Sequence, residues 1–276
     1  MALYTSSMGT LIRPTRQFRV HAGFISIIIG IFSPVPHSVD ATQNGPRGWG
    51  SSWTVPHTAK EKANREMARQ LQAALRARDW SIADQVIAKA SQRSPKSAYI
   101  PFVRSVIAMH RHRYDDALAD ANRALELLAK GSPGAESAIY VARSRAYQLK
   151  GAYRAGRADL ERAIALNQGN LVAQKDYAWL LATCPDASVR DGRRAVGFAR
   201  RVNNKTENKV GSVLDTVAAA EAEKGDFQAA VRNEQRAVAV EKGSKRDSFQ
   251  KHLQVFQSGQ PLRIPAEPSD FQETKI

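Results

Sequence analysis

A motif of one aromatic residue followed by small and apolar residues at helical spacing recurs along the chain. The stretch GAYRAGRADLERAIALNQGN at residues 151–170 is one copy. The aromatic residue of this motif is Trp80, Tyr114, Tyr153 or Phe227 in four places along the chain. Trp80 and Tyr114 are 34 residues apart, and the 74-residue interval between Tyr153 and Phe227 holds one more copy with a rebuilt turn. A self-similar period near 34 residues predicts an array of helix–turn–helix units.

Five copies are predicted, and each supplies two helices that cannot bury their apolar faces alone. The copies run over residues 64–97, 98–136, 137–170, 171–210 and 211–244. Small residues such as Ala163 let the two helices of a copy approach closely, and neighbouring copies stack to share a continuous core. After the fifth copy, Phe249, Leu253 and Phe256 form one face of a helix that ends at Gly259, which predicts a cap for the open end of the array.

The copies resemble the tetratricopeptide repeat, which places small residues where the paired helices cross and Pro near the end of each copy. Four positions depart from the pattern of that family: Arg143 takes an apolar place, Gly156 replaces Ala, Gln168 replaces Pro and Glu221 replaces an aromatic residue. The resemblance implies an all-α fold, a right-handed α-solenoid of tetratricopeptide helix–turn–helix repeats with a C-terminal capping helix.

The fourth and fifth copies contain the distinctive sequences YAWLLATCPDASVRDG and LDTVAAAEAEKGDF. They are similar to a bacterial subgroup of tetratricopeptide-repeat proteins with AWLLATCPD…RDG and LDT…AAA…GDF copies near the C-terminus. Pro185 is predicted to stop the first helix of the fourth copy, and Asp186 to cap the segment that follows. Cys184, the one cysteine, excludes an internal disulfide and a Cys-rich zinc site. We expect it to be a small buried hydrophobe rather than a reactive thiol.

The first 41 residues are typical of a targeting segment. Three Arg residues precede an apolar run at residues 22–32, and the first acidic residue is Asp40. This order predicts a secretory signal peptide that is cut after Ala41. The run is shorter than the roughly 20 apolar residues that span a bilayer. A retained N-terminal membrane anchor and a disordered cytosolic extension are the alternatives, and Met8 is an alternative start to Met1.

Composition divides the remaining chain into three parts. Residues 42–60 are rich in Gly, Ser and Pro without a period, and are predicted to be a flexible leader. Residues 61–258 form the predicted repeat domain, about five repeats plus the cap helix. Residues 259–276 are predicted to be a loose tail.

No enzymatic motif accompanies the repeats. The sequence contains no phosphate-binding loop, no Gly-x-Ser-x-Gly and no His-Glu-x-x-His. His110 and His112 are two residues apart and therefore face different sides of a helix rather than one metal ion. Asp215, Glu221 and Glu223 lack a nucleophile or an activated partner, so we expect them to be solvated helix charges. The sequence therefore predicts no catalytic activity, no cofactor and no bound metal.

The resemblance also implies which residues face a partner, since in this family the first helix of each pair lines the concave surface. The matching residues are Tyr99, Phe102, Met109, Arg145, Gln148, Lys175 and Trp179. Aromatic side chains beside basic ones suit an extended peptide of acidic or C-terminal carboxylate character. The Lys/Asn combination that clamps terminal carboxylates in chaperone-binding members is not reproduced. Alternatively, the apolar residues pack against the leader or a neighbouring repeat.

The formal net charge of +15 favours an anionic partner, although basic residues spread over solvated faces give the same total. Three functions are open at this point. The first is a periplasmic or secreted scaffold that binds a protein or peptide segment in its groove. The second is a basic surface that binds an anionic polymer or lipid. The third is an accessory subunit of an envelope enzyme complex. The sequence does not identify the partner.

Overall fold

The computed structural model describes residues 59–129, 131–243 and 245–263. Within these ranges the chain forms eleven α-helices and no strand. The helices are α1 Ala59–Ala77, α2 Trp80–Arg93, α3 Tyr99–His110, α4 Tyr114–Leu127, α5 Pro133–Leu149, α6 Tyr153–Leu166, α7 Leu171–Thr183, α8 Gly192–Lys205, α9 Gly211–Lys224, α10 Phe227–Val240 and α11 Arg246–Gln257.

The helices pair as the sequence period predicts. Five hairpins, α1–α2, α3–α4, α5–α6, α7–α8 and α9–α10, pack on one another in chain order, and α11 packs on α10 at the end. The hairpins coincide with the five predicted copies, except that α1 begins at Ala59, ahead of residue 64. The predicted all-α solenoid of helix–turn–helix repeats with a C-terminal capping helix is therefore confirmed.

The core runs along the array instead of surrounding one centre. One group of buried residues belongs to α1–α5 and includes Val103 and Ile139. A second group belongs to α5–α11 and the segment after it, and includes Val141, Tyr177 and Phe256. Helix α5 contributes Ile139 to the first group and Val141 to the second, so it joins the two halves of the solenoid.

Small residues at the helix crossings explain one departure from the repeat pattern. A Cβ atom on Gly156 of α6 would lie 3.0 Å from the carbonyl oxygen of Ser144 in α5. The Ser144 hydroxyl donates a hydrogen bond of 2.7 Å to the Gly156 carbonyl. Glycine therefore replaces the Ala of the pattern because the two backbones approach closely enough for a side chain to bond across the crossing.

Two charged residues depart from the repeat pattern, Arg143 and Glu221. Each is neutralised by an ion pair with a residue of a neighbouring helix. Arg143 of α5 donates hydrogen bonds of 2.8 and 2.7 Å to Asp159 of α6. Glu221 of α9 is fully buried, and its carboxylate lies 2.6 Å from the guanidinium of Arg200 in α8 and 3.4 Å from the Lys224 ammonium. A buried charge without a partner is costly, and these pairs supply the partners.

The rebuilt turn of the fourth repeat differs in part from the prediction. Helix α7 ends at Thr183, ahead of Pro185, as expected. The Asp186 carboxylate accepts hydrogen bonds from the amide and hydroxyl of Ser188, so it stabilises the turn and does not cap α8. The cap is Asp191, whose side chain accepts a hydrogen bond from the Arg194 amide. Asp186 is too far back in the loop to reach the first turn of α8.

Cys184 immediately follows α7 and is 1% exposed. Burial raises the pKa of its thiol above the usual value. The prediction of a small buried hydrophobe is therefore confirmed.

The two ends of the array extend further than expected. Helix α1 includes Ala59 and Lys60, which were assigned to the leader. At the other end Leu262 is buried, and the guanidinium of Arg263 lies 2.7 Å from the Glu223 carboxylate, so the first residues of the predicted tail pack on the last repeat. The cap is confirmed, with Phe249 and Phe256 buried.

The predicted signal peptide, its cleavage site and nearly all of the leader lie outside the described residues, as do residues 264–276. Among the described helices, none has the length and apolar character needed to cross a bilayer.

Candidate interaction face

Helices α3, α5, α7 and α9 are the first helices of the second to fifth repeats, and we call the surface that they form the first-helix face. They contact one another in chain order, α3 with α5, α5 with α7 and α7 with α9. Residues three or four apart share a side of a helix, as Arg145 and Gln148 do in α5 and Lys175 and Trp179 do in α7. The face therefore brings predicted site residues from separate repeats into neighbouring positions.

The seven predicted site residues differ in exposure. Four are buried: Phe102 at 3%, Met109 at 8%, Arg145 at 6% and Gln148 at 4% exposed. Three are partly exposed: Tyr99, Lys175 and Trp179.

The expectation of exposed apolar groups is wrong for Phe102 and Met109. Both belong to the group of buried residues formed by α1–α5. Arg104 is the one exposed residue of α3. The positions of this helix that line a groove in the family are therefore covered here by other residues. This part of the outcome agrees with the alternative of packing within the array.

A buried ion network crosses from α5 to α7. The Arg145 guanidinium contacts the Asp176 carboxylate through Nε at 2.9 Å and Nη2 at 2.7 Å. The Lys175 ammonium lies 2.9 Å from the other oxygen of the same carboxylate. Burial alone would raise the pKa of Asp176, but the two cations outweigh burial and hold that pKa below its usual value. Two cations from two helices therefore contact one buried carboxylate.

His110 lies at the end of α3, beside the first repeat. Its ring stacks on Trp80 with 6.0 Å between ring centroids. Burial, together with the positive charges of Arg78 and Arg145, lowers the pKa of His110 to about 4. His112 follows the end of α3 with φ of 58° and contacts the Tyr114 hydroxyl at 3.0 Å. The two histidines therefore have separate surroundings.

Tyr99 and Trp179 are the aromatic members of the face that keep partial exposure. Burial raises the pKa of Tyr99 to about 12, so its hydroxyl stays neutral at physiological pH. The Trp179 indole lies beside the imidazole of His252 in α11, with 6.1 Å between ring centroids. The capping helix therefore closes the C-terminal end of the first-helix face.

The expectation of solvated helix charges is wrong for the three acidic residues of α9. Asp215 is 6% exposed, Glu221 is 0% exposed, and Glu223 is half-buried. Glu223 pairs with Arg190 at 3.1 Å and with Arg263 at 2.7 Å. Their burial follows from the central place of α9, which packs against α7, α8 and α10 at once.

Sequence reasoning missed a second polar cluster next to Trp179. Asp215 of α9, Glu234 of α10 and His252 of α11 converge, and one donor atom from each lies within 4.8 Å of the others. It also missed Asp176, which joins Arg145 to Lys175. The available signal was an acidic residue inside an otherwise apolar helical stretch, since Glu234 occupies the place that Leu160 has in the third repeat.

The fold and this face define an all-helical repeat protein whose paired helices stack in chain order. No known protein family and no curated relative matches the sequence. Among solved structures, the chain is similar to the tetratricopeptide-repeat domain of P58(IPK), with 12% sequence identity and a TM-score of 0.32. The match covers 72% of this chain and 66% of that domain, so the chain spans just under two thirds of its length.

Proposed function

We propose that this protein is a non-enzymatic interaction scaffold of the cell envelope. It binds an extended acidic segment of a partner protein against the first-helix face. The contacts come from Lys175 and Trp179, with Tyr99 further along the same face, while Arg145 and Lys175 are held together by Asp176.

One observation carries the proposal: two cations share the single carboxylate of Asp176 beside a partly exposed indole. The Lys175 ammonium lies 2.9 Å from the Asp176 carboxylate and keeps partial exposure, four residues before the indole in the same helix. An aromatic anchor next to a partly buried cation is the combination that concentrates binding energy in protein interfaces. An acidic side chain or a C-terminal carboxylate of a partner is the group that pairs with the Lys175 ammonium.

The test is a peptide selection followed by affinity measurements. A random peptide library selected against the full chain is expected to yield sequences enriched in Asp and Glu. Fluorescence anisotropy then gives the Kd of a selected peptide for the wild type, Lys175→Gln and Trp179→Ala. Each variant is expected to weaken binding at least tenfold, because about 1.4 kcal/mol corresponds to that factor and buried anchors exceed it.

The matched control is Arg193→Gln, which removes an exposed cation from α8, away from the first-helix face. We expect this variant to bind the selected peptide with wild-type affinity. Peptides that lose affinity with Arg193→Gln and retain it with Lys175→Gln would reject the first-helix face as the site.

A second candidate function rests on α8, which contains five basic residues and no acidic one. These are Arg193, Arg194, Arg200, Arg201 and Lys205, all exposed. Arg194 and Arg200 pair with Glu161 and Glu221, whereas Arg201 stacks over Phe198 at 5.1 Å. Such a helix suits an anionic polymer or lipid surface. Binding there is expected to fall steeply with salt, and cosedimentation with anionic vesicles at two salt concentrations measures it.

We propose export to the periplasm or the medium, on the strength of the sequence at residues 1–41. The mass of the protein recovered from fractionated cells tests this. A mature chain beginning at Thr42 in the soluble envelope fraction is the expected result. An uncut chain in the membrane fraction would instead indicate the retained anchor.

A further inference from the structure

Glu234 is an acidic residue at a position where the repeat places an apolar one. It is 0% exposed in the middle of α10. Neither of its carboxylate oxygens has a hydrogen-bond partner. A buried carboxylate in this state is costly, so its surroundings require either a proton or a cation.

The two nearest polar groups make the requirement stronger. The Asp215 carboxylate faces Glu234, so two acidic groups meet in one buried place. The His252 Nδ1 atom lies 2.8 Å from Asp215 Oδ1 and 3.9 Å from Glu234 Oε1. The three residues come from three different helices, and His252 is the most exposed of them, at 18% of its side chain against 8% for Asp215.

We propose that Asp215, Glu234 and His252 bind one divalent transition-metal ion, such as zinc, which fastens the capping helix α11 to the last repeat. Two carboxylates and one imidazole are the hard and borderline donors that such ions accept. Ligand atoms around a tetrahedral zinc ion lie about 3.3–3.5 Å apart, given bonds of about 2.0–2.2 Å. Separations of 2.8 and 3.9 Å, with all three atoms inside 4.8 Å, reach that geometry through small rotations of the side chains.

The charge of the cluster fits a dication. Asp215 and Glu234 are 6% and 0% exposed, so two carboxyl groups share one buried place. A divalent ion placed between the two carboxylates supplies a counter-charge to both of them. The contacts that the ion makes then link α9, α10 and α11, whereas the hydrogen bond between His252 and Asp215 by itself joins only α11 to α9.

The test uses the full chain, stripped with EDTA and then titrated with ZnCl2, with MgCl2 as the comparison. We expect one zinc ion per chain by calorimetry and by elemental analysis after gel filtration. Zinc at a hundredfold excess over its Kd is expected to raise the Tm by roughly 5–10 °C. Magnesium is expected to leave the Tm unchanged, because imidazole is a poor ligand for it.

Glu234→Leu is the decisive variant, since it restores the apolar residue of the repeat pattern and removes a buried unpaired carboxylate. It is expected to fold and to retain no ion. Its Tm is expected to be the same in the presence and in the absence of zinc. Glu234→Gln and His252→Gln are expected to weaken zinc binding at least a hundredfold. His112→Gln, at an exposed histidine, is the matched control and should keep the wild-type stoichiometry.

Two outcomes would overturn the proposal. Wild-type protein that binds no zinc after EDTA treatment would mean that a shared proton neutralises the cluster. A Glu234→Leu variant that still binds one zinc ion would show that the ion binds at another site. Neither outcome bears on the peptide selection, which concerns Lys175 and Trp179.

Discussion

Asp176 determines the charge balance of the first-helix face, because Arg145 and Lys175 both pair with it. We predict that Asp176→Asn destabilises the fold by about 3–5 kcal/mol, the usual cost of leaving buried charges without their partner. Urea denaturation followed by circular dichroism measures this change. Asp116→Asn removes an exposed ion pair with Arg113. It should cost no more than about 1 kcal/mol, and an equal loss in the two variants would contradict the buried network.

Asp176 also gives the fold a dependence on pH at the acidic end. Its pKa is lowered in the folded state. The stabilisation that it contributes is therefore fully present above the ordinary carboxyl pKa and is lost as the pH falls through the folded value.

His110 adds a second pH dependence at higher pH. Its folded pKa of about 4 lies below the ordinary value of 6.5, so the unfolded chain binds the proton first as the pH falls. The free energy of unfolding should therefore decrease between pH 6.5 and 4, by at most about 3 kcal/mol. We predict that His110→Gln flattens this part of the profile, measured by urea denaturation at several pH values. An unchanged slope in His110→Gln would show that another group is responsible.

At the scale of residues, the sequence predicted steric roles better than exposure. Ala121 and Ala163 are fully buried at helix crossings, as their spacing indicates. Phe102 and Met109 were expected on a surface, but exposure depends on how closely neighbouring repeats stack, and no single copy contains that information. The Asp215–Glu234–His252 cluster joins residues up to 37 positions apart, a separation that no helical period relates.

At the scale of helices, the contact between the start of α8 and the end of α9 sets the geometry of the last two repeats. A Cβ atom on Gly192 would lie 2.6 Å from the Lys224 amide nitrogen and 2.8 Å from the Glu223 carbonyl carbon. These are backbone atoms, so they cannot move aside as a flexible side chain would. The fourth repeat therefore requires glycine at this position.

We predict that Gly192→Ala destabilises the protein by about 1–3 kcal/mol through overpacking. Gly197→Ala is the matched control in the same helix, because a Cβ atom there meets nothing within 4 Å. The control should stabilise the protein by about 0.5–1 kcal/mol, since Ala loses less chain entropy than Gly in a helix. Thermal unfolding measures both, and a Gly192→Ala protein as stable as the control would mean that α8 and α9 are further apart than described.

Helix positions followed from the period, but the loops between them did not. Four of the five hairpins were predicted because an aromatic residue opens the second helix, and the fourth repeat was predicted from the spacing of Gly192, Val196 and Ala199. In the rebuilt turn Asp186 accepts a hydrogen bond from the Ser188 amide, and Asp191 accepts one from the Arg194 amide and caps α8. Local sequence does not decide which of the two acidic residues caps α8, because the length of the loop depends on where α8 docks.

At the scale of the whole molecule, each repeat contacts mainly its neighbours. Helix α5 is the junction between the two groups of buried residues. In such an array, stability is approximately a sum of repeat terms and neighbour terms, so a local defect spreads no further than the adjacent interfaces. A protein with one compact centre would instead lose stability everywhere.

Two core truncations, one on each side of α5, distinguish these cases. Ile87→Ala lies in the α1–α5 group and Leu160→Ala in the α5–α11 group, with exposures of 7% and 0%. Each should cost about 2–5 kcal/mol. We predict that hydrogen exchange of Ile87→Ala accelerates in α1–α4 and stays slow in α9 and α10, whereas Leu160→Ala accelerates exchange from α5 to α8. Uniform acceleration along the chain in both variants would show that the repeats unfold as one unit, and the neighbour description of this solenoid would then fail.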